Sequence, residues 1–466
     1  MGPDQQHAQF LPRLAYLLDN RFQRRRVKFL QRTKYTNELE EMVDKEVVVS
    51  GWVHDVRVLG GINFVLLRDA GGIVQVTGIK TKSTKEIMDI FPKLRQEDVL
   101  SVRGKVVKSK VAKIGFEILP DEIEIVSKSV TPLPLDPREV TPALFDTRMD
   151  NRVMDLRKPD SLAIFKIESK VMSAMREFLE SRGFVNTNTP CLMGGASEGG
   201  SEVFKVKYFE TEAFLRQDPQ LHRQLLMLAG FDRVYDMGPS WRAEMSLTTR
   251  HMTEFRSCAV EMSFIKDEKD VMKMQEDMVI HTIRKVAEDC QRELGLLKKE
   301  IQIPKRNFPE LAFPDVYKIL EDVGIKVPFG QDYDREAELA LSKYVKEKHN
   351  HDFFFVNRFP FAVKPFYVMK VDDDQTWARS VDMVFKGLEQ SSGGQREHRY
   401  DKVISQLHEK KIDPKTMSWF TDPFKYGACP HGGFAIGIER FVEKLLDLEN
   451  VRESTLFARD PKRLVP

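Results

Sequence analysis

The sequence predicts an α+β protein with a small closed β-barrel near its start and a larger domain of mixed helices and strands after it. Three observations support this prediction. The 466 residues are too many for one ordinary domain, so two or three are expected. Five short runs rich in β-branched residues are grouped before residue 130. Beyond residue 160, helical and strand periodicities alternate.

The barrel is predicted from the five β-rich runs. They are 47–49, 64–67, 73–76, 99–102 and 123–126. Five short strands match the strand count of an OB-fold, which we assign to residues 31–130. Three prolines then fall within residues 131–137, which excludes a helix or a central strand there. Residues 131–160 are therefore interpreted as a hinge, and residues 161–466 as the second domain.

The second domain should begin with an amphipathic helix. Apolar residues recur at three-to-four spacing from Ile164 to Phe178, and Gly183 is expected to end the helix. A strand should follow, reaching Pro190. The other expected elements are a helix around 271–278 and strands at 353–356 and 366–369.

Composition restricts the class of protein. Lys and Arg number 73 and Asp and Glu 71, so the net charge is no guide to a nucleic-acid partner. Four scattered cysteines, none in a CxxC pair, argue against a zinc site and against a disulfide framework. No apolar run has the ~20 residues of a membrane span, so a cytoplasmic protein without membrane contact is expected.

Residues 1–30 are predicted to be a separate basic extension. A short leucine face is followed by three arginines at 24–26. A solvated helix or tail is the favoured interpretation, because chain ends are often unstructured. A basic arm that binds a polyanion is the alternative.

Three segments of the second domain are candidates for a functional site: 183–190, 240–255 and 433–440. The second and third contain arginines suited to phosphate chemistry. A guanidinium group binds phosphate oxygens two at a time, so Arg242 and Arg440 are candidates for binding a nucleotide. Phe255 offers a stacking face for a base. The chain has neither GxGxxG nor GxxxxGK[ST], so ATP binding would depend on such side chains and not on a phosphate loop.

A pair of carboxylates completes the candidate site. Asp382 and Glu389 lie seven residues apart, just before the run Ser391 to Arg396. Mg²⁺ takes few protein oxygens and keeps water and phosphate as its other ligands. The two acids are therefore the predicted metal ligands.

In this order and spacing, the three segments resemble motifs 1, 2 and 3 of class II aminoacyl-tRNA synthetases. From about residue 31, nearly the whole chain is similar to aspartyl-tRNA synthetases of the archaeal and eukaryotic type. Matching segments include Gly51-Trp52-Val53, 132–137, 196–200, 364–367, 391–398 and 457–464. The resemblance implies an OB-fold that binds the anticodon, and a catalytic domain with an antiparallel sheet flanked by helices. It also implies a homodimer with Pro190 at the interface.

The resemblance implies a reaction and a set of roles. L-aspartate and ATP, with Mg²⁺, would form aspartyl-adenylate, and tRNA(Asp) would then be charged. The implied ATP-binding residues are Arg242, Glu244, Arg250, His251, Phe255, Glu389, Gly437 and Arg440, with Arg242, Glu389 and Arg440 as the catalytic groups. The implied aspartate-binding residues are Glu198, Gln220, Arg223, Ser392 and Arg396. The implied anticodon-binding residues are Phe64, Gln75, Glu117 and His54.

The chain departs from this family in the amino-acid pocket. Arg223 replaces a lysine, Asp218 adds a charge where a small residue is usual, and Ala259 replaces a common aspartate. On the anticodon side, His54 is typical of enzymes that also charge tRNA(Asn), whereas Lys113 is typical of those restricted to tRNA(Asp). Charging of tRNA(Asn) is therefore left open. The alternatives are an asparaginyl-tRNA synthetase, or a paralogue with altered or lost charging activity.

Overall fold

The computed structural model describes residues 30–138, 140, 142–195 and 202–466. These residues fall into two compact units, divided after Ala143.

The first unit is a closed five-stranded barrel, as predicted. Strands β1 to β5 are Glu46–Val58, Ile62–Asp69, Gly72–Ile79, Val99–Lys108 and Phe116–Ser127, and helix α1 is Lys85–Met88. The strands close in the order β1-β2-β3-β5-β4, and every pair is antiparallel except β3 with β5. Alternate residues such as Val65, Leu67, Val74 and Val76 are fully buried in the interior. The residues between them face outwards.

The second unit is built on an eight-stranded sheet. Its strands and those of a smaller sheet are β6 Val185–Asn186, β7 Leu192–Met193, β8 Lys205–Tyr208, β9 Thr211–Leu215, β10 Arg233–Trp241, β11 Glu254–Ser263, β12 Glu310–Ala312, β13 Phe353–Asn357, β14 Ser380–Phe385, β15 Leu388–Arg396 and β16 His431–Gly437. The large sheet has the order β12-β13-β14-β15-β16-β11-β10-β6. Its six inner strands are antiparallel, and the two edge strands pair in parallel. The predicted antiparallel sheet is confirmed.

Helices of the second unit pack against this sheet. They are α2 Phe145–Asp150, α3 Arg152–Asp155, α4 Pro159–Ser181, α5 Gln220–Leu228, α6 Glu268–Asp289, α7 Gln291–Leu297, α8 Asp315–Asp322, α9 Arg335–His349, α10 Tyr400–Glu409, α11 Ser418–Thr421 and α12 Ile438–Leu445. The apolar faces of α4 and α6 share one core with residues of β11, β14 and β16. None of the helices in the described ranges combines the length and apolar character needed to cross a bilayer.

Helix α4 ends where the sequence predicts. Gly183 has φ +79°, a conformation that glycine adopts without a side-chain clash. Its N–H donates to the Glu180 carbonyl at 3.0 Å, and the Phe184 N–H donates to the Leu179 carbonyl at 3.1 Å. These two bonds satisfy carbonyl groups that would otherwise lack partners at the end of the helix.

Two strand predictions are wrong. The strand expected to reach Pro190 is limited to the two residues of β6. Residues 366–369 form a turn, in which the Val368 N–H donates to the Pro365 carbonyl at 3.2 Å, plus one isolated bridge to Arg396. The apolar character of this run comes from burial against α10 and its neighbours, and not from strand pairing.

Glycines let the central strands approach closely. A Cβ atom at Gly433 would lie 1.9 Å from the Val260 carbonyl oxygen and 2.5 Å from Glu261 Oε2. One at Gly393 would lie 2.4 Å from the Gly433 carbonyl oxygen. Gly393 therefore allows β15 and β16 to approach closely, and Gly433 leaves room for the Glu261 side chain.

Candidate active site

A cavity of about 380 Å³ opens beside strands β10, β11, β15 and β16 of the second unit. Its lining includes every residue that the resemblance implied for ATP: Arg242, Glu244, Arg250, His251, Phe255, Glu389, Gly437 and Arg440. The antiparallel sheet brings these distant parts of the chain to one place, because β11 and β15 both pair with β16.

The β10–β11 hairpin positions the first arginine of the cavity. Arg242 directly follows β10, and its N–H donates to the Thr253 carbonyl at 3.0 Å. In the paired strand, Phe255 lies opposite Ser240. The Arg242 guanidinium carbon is consequently 5.7 Å from the centre of the Phe255 ring. A cation and an aromatic face lie side by side at the wall of the cavity.

Three arginines line this cavity together with five carboxylates. Arg440, in the first turn of α12, has no carboxylate within 4.0 Å among the described residues, while Arg242 and Arg250 lie 3.5 Å and 3.9 Å from Glu244 and Glu338. Burial lowers the pKa of His251, and although Glu244 opposes this, the charges of the three arginines lower it further. His251 is thus neutral at neutral pH. The three guanidinium groups suit the phosphates of a nucleoside triphosphate, and the carboxylates suit a cation bound beside them.

The two predicted metal ligands lie on adjacent strands. Asp382 is on β14 and 5% exposed, and Glu389 is on β15, where it lines the cavity; Asp382 is not part of the lining. Lys364 Nζ is 3.1 Å from Asp382 Oδ2, whereas Asp382 Oδ1 is buried without a hydrogen-bond partner in the described structure. Burial raises the pKa of Asp382 to about 7, Lys364 opposes this, and Glu389 adds to it.

These two carboxylates fit a divalent cation whose other ligands are water or phosphate oxygens. The unsatisfied Asp382 Oδ1 is an oxygen that a cation could accept as a ligand. In the described parts of the chain, no three His, Cys, Asp or Glu side chains form a complete metal site. Asp382 and Glu389 could therefore hold Mg²⁺ only together with water or phosphate oxygens.

Two buried acids at the cavity were missed from the sequence. Glu338 of α9 accepts hydrogen bonds from the backbone N–H of Glu389 and from Arg335. Glu439 of α12 accepts from the Arg256 N–H at 3.0 Å and from Arg256 Nε at 3.0 Å. The contacts of Glu338 with Glu389 and of Glu439 with Arg256 join residues 51 and 183 positions apart in the chain, so no local pattern marks them.

Arg256 connects the cavity to helix α4. Besides Glu439, it donates a hydrogen bond to Glu168 of α4. Burial raises the pKa of Glu168 to about 7, an effect that Arg256 opposes and Glu439 increases. One arginine therefore pairs with two buried carboxylates, of which Glu439 lines the cavity and Glu168 does not.

Three of the five residues predicted for amino-acid binding, Gln220, Arg223 and Arg396, belong to a buried network. Arg396 donates from Nε to Glu261 Oε1 at 3.1 Å, and from an Nη atom to Gln220 Oε1 at 2.8 Å. Gln220 in turn donates to Glu261 Oε2 at 3.0 Å. All three side chains are 4% exposed or less. Glu261, which the sequence analysis did not select, is the central acceptor.

Arg223 joins this network from helix α5. It donates to Gln220 Oε1 at 2.9 Å and to Asp218 Oδ1 at 3.0 Å. Burial lowers the pKa of Arg223, but Asp218 and Glu261 together raise it by more, so the group is charged. Asp218 and Ser392 both line the cavity, which brings the network to its edge. Glu198 lies outside the described residues.

The four residues predicted for anticodon binding all lie in the first unit. Phe64 on β2 is half-buried and opposite Thr77 on β3. Glu117 on β5 accepts hydrogen bonds from Gln75 at 2.7 Å and from Thr77 at 2.5 Å. Phe64, Gln75 and Thr77 alternate with the core residues of their strands, so they share the outer face of the barrel.

His54 belongs to a second group in the barrel. It lies at a bulge of β1, and its Nδ1 is 3.1 Å from Arg68, which also binds Glu97 at 2.8 Å. Burial lowers the pKa of His54, and Arg68 lowers it further. His54 is therefore a neutral hydrogen-bonding group at neutral pH.

Both units match known protein families. Residues 145–461 match tRNA synthetases class II (D, K and N), and residues 47–126 match the OB-fold nucleic acid binding domain. The first match covers well over half of the chain.

Named relatives and a solved structure agree with these matches. The chain is 47% identical to the aspartate–tRNA(Asp) ligase of Pyrococcus horikoshii, over 93% of this chain and 100% of that protein. It is 46% identical to the aspartate–tRNA(Asp/Asn) ligase of Methanopyrus kandleri, over 91% and 96%. An asparaginyl-tRNA synthetase from Pyrococcus horikoshii, complexed with asparaginyl-adenylate, has a TM-score of 0.85 and 31% identity, over 94% and 100%. The chain thus belongs to the class II tRNA synthetases of the D, K and N group, and it is a ligase.

Proposed function

We propose that this protein attaches L-aspartate to tRNA(Asp) in the cytoplasm, through an aspartyl-adenylate made from ATP. The observation that carries the proposal is the buried guanidinium of Arg396 on β15, a strand whose residues 388–392 line a cavity together with Arg242, Arg250 and Arg440. The first cation suits a side-chain carboxylate, and the other three suit phosphates. Relatives of 46–47% identity named as aspartate–tRNA ligases support the same substrate.

In the first step, an oxygen of the aspartate α-carboxylate attacks the α-phosphorus of ATP. The bond from that phosphorus to its bridging oxygen breaks, and pyrophosphate leaves with the electron pair. Arg242 would stabilise the charge that develops on the α-phosphate oxygens. Arg250 and Arg440 would hold the outer phosphates, with His251 and Glu244 beside them, and adenine would lie against Phe255 and Gly437.

Asp382 and Glu389 would hold the metal ion. When bound there, Mg²⁺ would offset negative charge on the phosphate oxygens. The unsatisfied Asp382 Oδ1 and the position of Glu389 at the cavity wall support this assignment.

The second step transfers the aspartyl group to RNA. A 3′-terminal hydroxyl of the tRNA attacks the carbonyl carbon of the adenylate, and AMP leaves. On the barrel, Phe64 would stack on an anticodon base, while Gln75, Glu117 and His54 would bind base edges. Stacking combined with edge hydrogen bonds is how single-stranded RNA is recognised.

Selection of aspartate over asparagine would depend on Arg396. An amide in place of the side-chain carboxylate would offer Arg396 a neutral hydrogen bond instead of the stronger charge-assisted one. Gln220, Arg223, Ser392 and Glu198 would surround the rest of the amino acid. Arg396 and Arg223 already have carboxylate partners in the protein, so a substrate carboxylate would have to compete with those partners.

The decisive experiment is charging of separate tRNA(Asp) and tRNA(Asn) transcripts with aspartate and with asparagine. Aspartate on tRNA(Asp) alone supports the proposal in its narrow form, and aspartate on both transcripts indicates the broader specificity. Charging with asparagine would instead indicate an asparaginyl-tRNA synthetase. Pyrophosphate exchange without charging of either transcript would indicate the paralogue.

We also propose that the protein acts as a homodimer. Val185 on the edge strand β6 and Leu192 on β7 are 48% and 45% exposed, and Pro190 between them is exposed as well. Apolar side chains on an unpaired sheet edge favour association with a second copy. Light scattering after gel filtration should give twice the mass of one chain; a single-chain mass at micromolar concentration would contradict this.

A further inference from the structure

Asp218 occupies the boundary between the cavity and the buried network. Its side chain is 25% exposed and lines the cavity, whereas its partner Arg223 is fully buried. The two groups are 3.0 Å apart, within hydrogen-bond distance. Asp218 is therefore the carboxylate through which the interior of this network meets solvent.

Charges in the network balance in pairs. Arg396 has Glu261 as its counter-ion at 3.1 Å. Glu261 lies 3.9 Å from Arg223 Nε, which is too far for a hydrogen bond, so the direct counter-ion of Arg223 is Asp218. Ala259, two residues before Glu261 on β11, adds no charge. Two cations are thus neutralised by two carboxylates before any substrate enters.

A substrate with a side-chain carboxylate would add a third negative charge to this set. Glu261 is fully buried and cannot move into water, whereas Asp218 already reaches the cavity. Asp218 is the carboxylate that can leave its arginine at the lower cost, because its charge can be hydrated.

We propose that Asp218 is a specificity-determining residue: it is the internal counter-ion of Arg223 and competes with the side-chain carboxylate of the amino-acid substrate. This inference rests on the proposed function. An amide side chain can accept a hydrogen bond from Arg223 but cannot replace the negative charge of Asp218, so the Asp218–Arg223 pair also disfavours asparagine. The affinity for aspartate is weakened by the same competition.

The test is aspartate-dependent ATP–pyrophosphate exchange by Asp218→Asn, with Asp218→Glu as the matched control. Asparagine at 218 keeps the hydrogen-bonding oxygen and removes the charge, so KM for aspartate should fall about three- to tenfold. Glutamate keeps the charge and should not lower KM for aspartate. KM for ATP should not show the same fall in Asp218→Asn. An unchanged or raised KM for aspartate in Asp218→Asn, or an equal fall in both variants, overturns the proposal.

A second measurement tests whether Asp218 acts through Arg223. In an Arg223→Gln background, the additional change Asp218→Asn should no longer lower KM for aspartate. If the fall persists, Asp218 repels the substrate directly and the assignment is wrong. Should Asp218→Asn not fold, Asp218→Ser provides the same readout with a smaller side chain.

Exchange by the wild-type protein distinguishes failure of the proposed function from failure of the proposed role of Asp218. If it shows no aspartate-dependent exchange, the proposed function fails, whatever the variants do. If it is active and Asp218→Asn leaves KM for aspartate unchanged, only the role of Asp218 fails.

Discussion

Arg242 and Arg440 line an open cavity, whereas Arg223 and Arg396 lie behind it in the protein interior. The Arg242 side chain is 48% exposed, and among the described residues its ion pair is with Glu244, at 3.5 Å. Arg223 and Arg396 are 0% and 4% exposed, and each has a carboxylate partner within 3.1 Å. Exposed cations are stabilised by water and remain available to bind a polyanion. Buried cations need a counter-ion within the protein.

This difference predicts that the exposed arginines contribute to ligand binding alone, whereas the buried arginines contribute to both ligand binding and protein stability. Removing an exposed arginine should impair phosphate chemistry and leave the fold intact, because water already solvates the side chain. Removing a buried one leaves a carboxylate uncompensated in the interior, so both activity and stability should suffer. The following variants test the distinction.

The largest effect is expected for Arg396→Leu. The substrate carboxylate would lose its cation and Glu261 its partner, so aspartate-dependent pyrophosphate exchange should fall by at least about a thousandfold. The melting temperature should fall as well. Arg396→Lys, which keeps the charge, controls for the loss of stability. Near-normal exchange in Arg396→Leu would remove Arg396 from the amino-acid pocket.

Arg242→Ala should lower kcat for pyrophosphate exchange by about a hundred- to a thousandfold, since charge on the α-phosphate would lose its stabilising group. Its melting temperature should stay within about 2 °C of the wild-type value, because the side chain is half exposed. Calorimetry beside the exchange assay measures both. A large loss of stability with little loss of activity would contradict the assignment of Arg242 to phosphate binding and not to stability.

Glu338→Gln tests an intermediate case, in which a buried acid supports the open cavity. Glutamine can still accept from the Glu389 N–H but loses the charge that attracts Arg250, so KM for ATP should rise about three- to tenfold with a smaller change in kcat. Glu336→Gln, an exposed neighbour on the same helix, is the control. Similar kinetics in the two variants would exclude a positioning role for Glu338.

The smallest effect concerns Glu168, which shares Arg256 with Glu439. Its pKa is raised from 4.5 to about 7, so the folded protein binds a proton that the unfolded chain releases. The stability from this group is fully present below about pH 4.5 and is lost as the pH rises through about 7. Glu168→Gln should reduce the fall in unfolding free energy over this range by about 1–3 kcal/mol. Denaturant titrations at several pH values measure it; an unchanged slope would contradict the expectation.

Local patterns predicted much of the fold. The period-two runs of the barrel and the apolar spacing from Ile164 to Phe178 depend on neighbours in the chain, and both elements formed as expected. The run 366–369 failed because its apolar residues are buried by packing against α10, which a strand pattern cannot distinguish. Glu261 and Glu338 were missed because their partners lie 135 and 51 residues away in the chain.

The sequence by itself determined the order of the two domains, the strand runs of the barrel and, through the resemblance to class II synthetases, the set of cavity arginines. These follow from periodicity and from motifs whose members are close together in the chain. Only the tertiary structure decided which arginines remain open and which are paired. Burial and ion pairing depend on strands that meet across the sheet, as Arg396 on β15 meets Glu261 on β11. The free energy of a charge is set by those surroundings, and not by its neighbours in sequence.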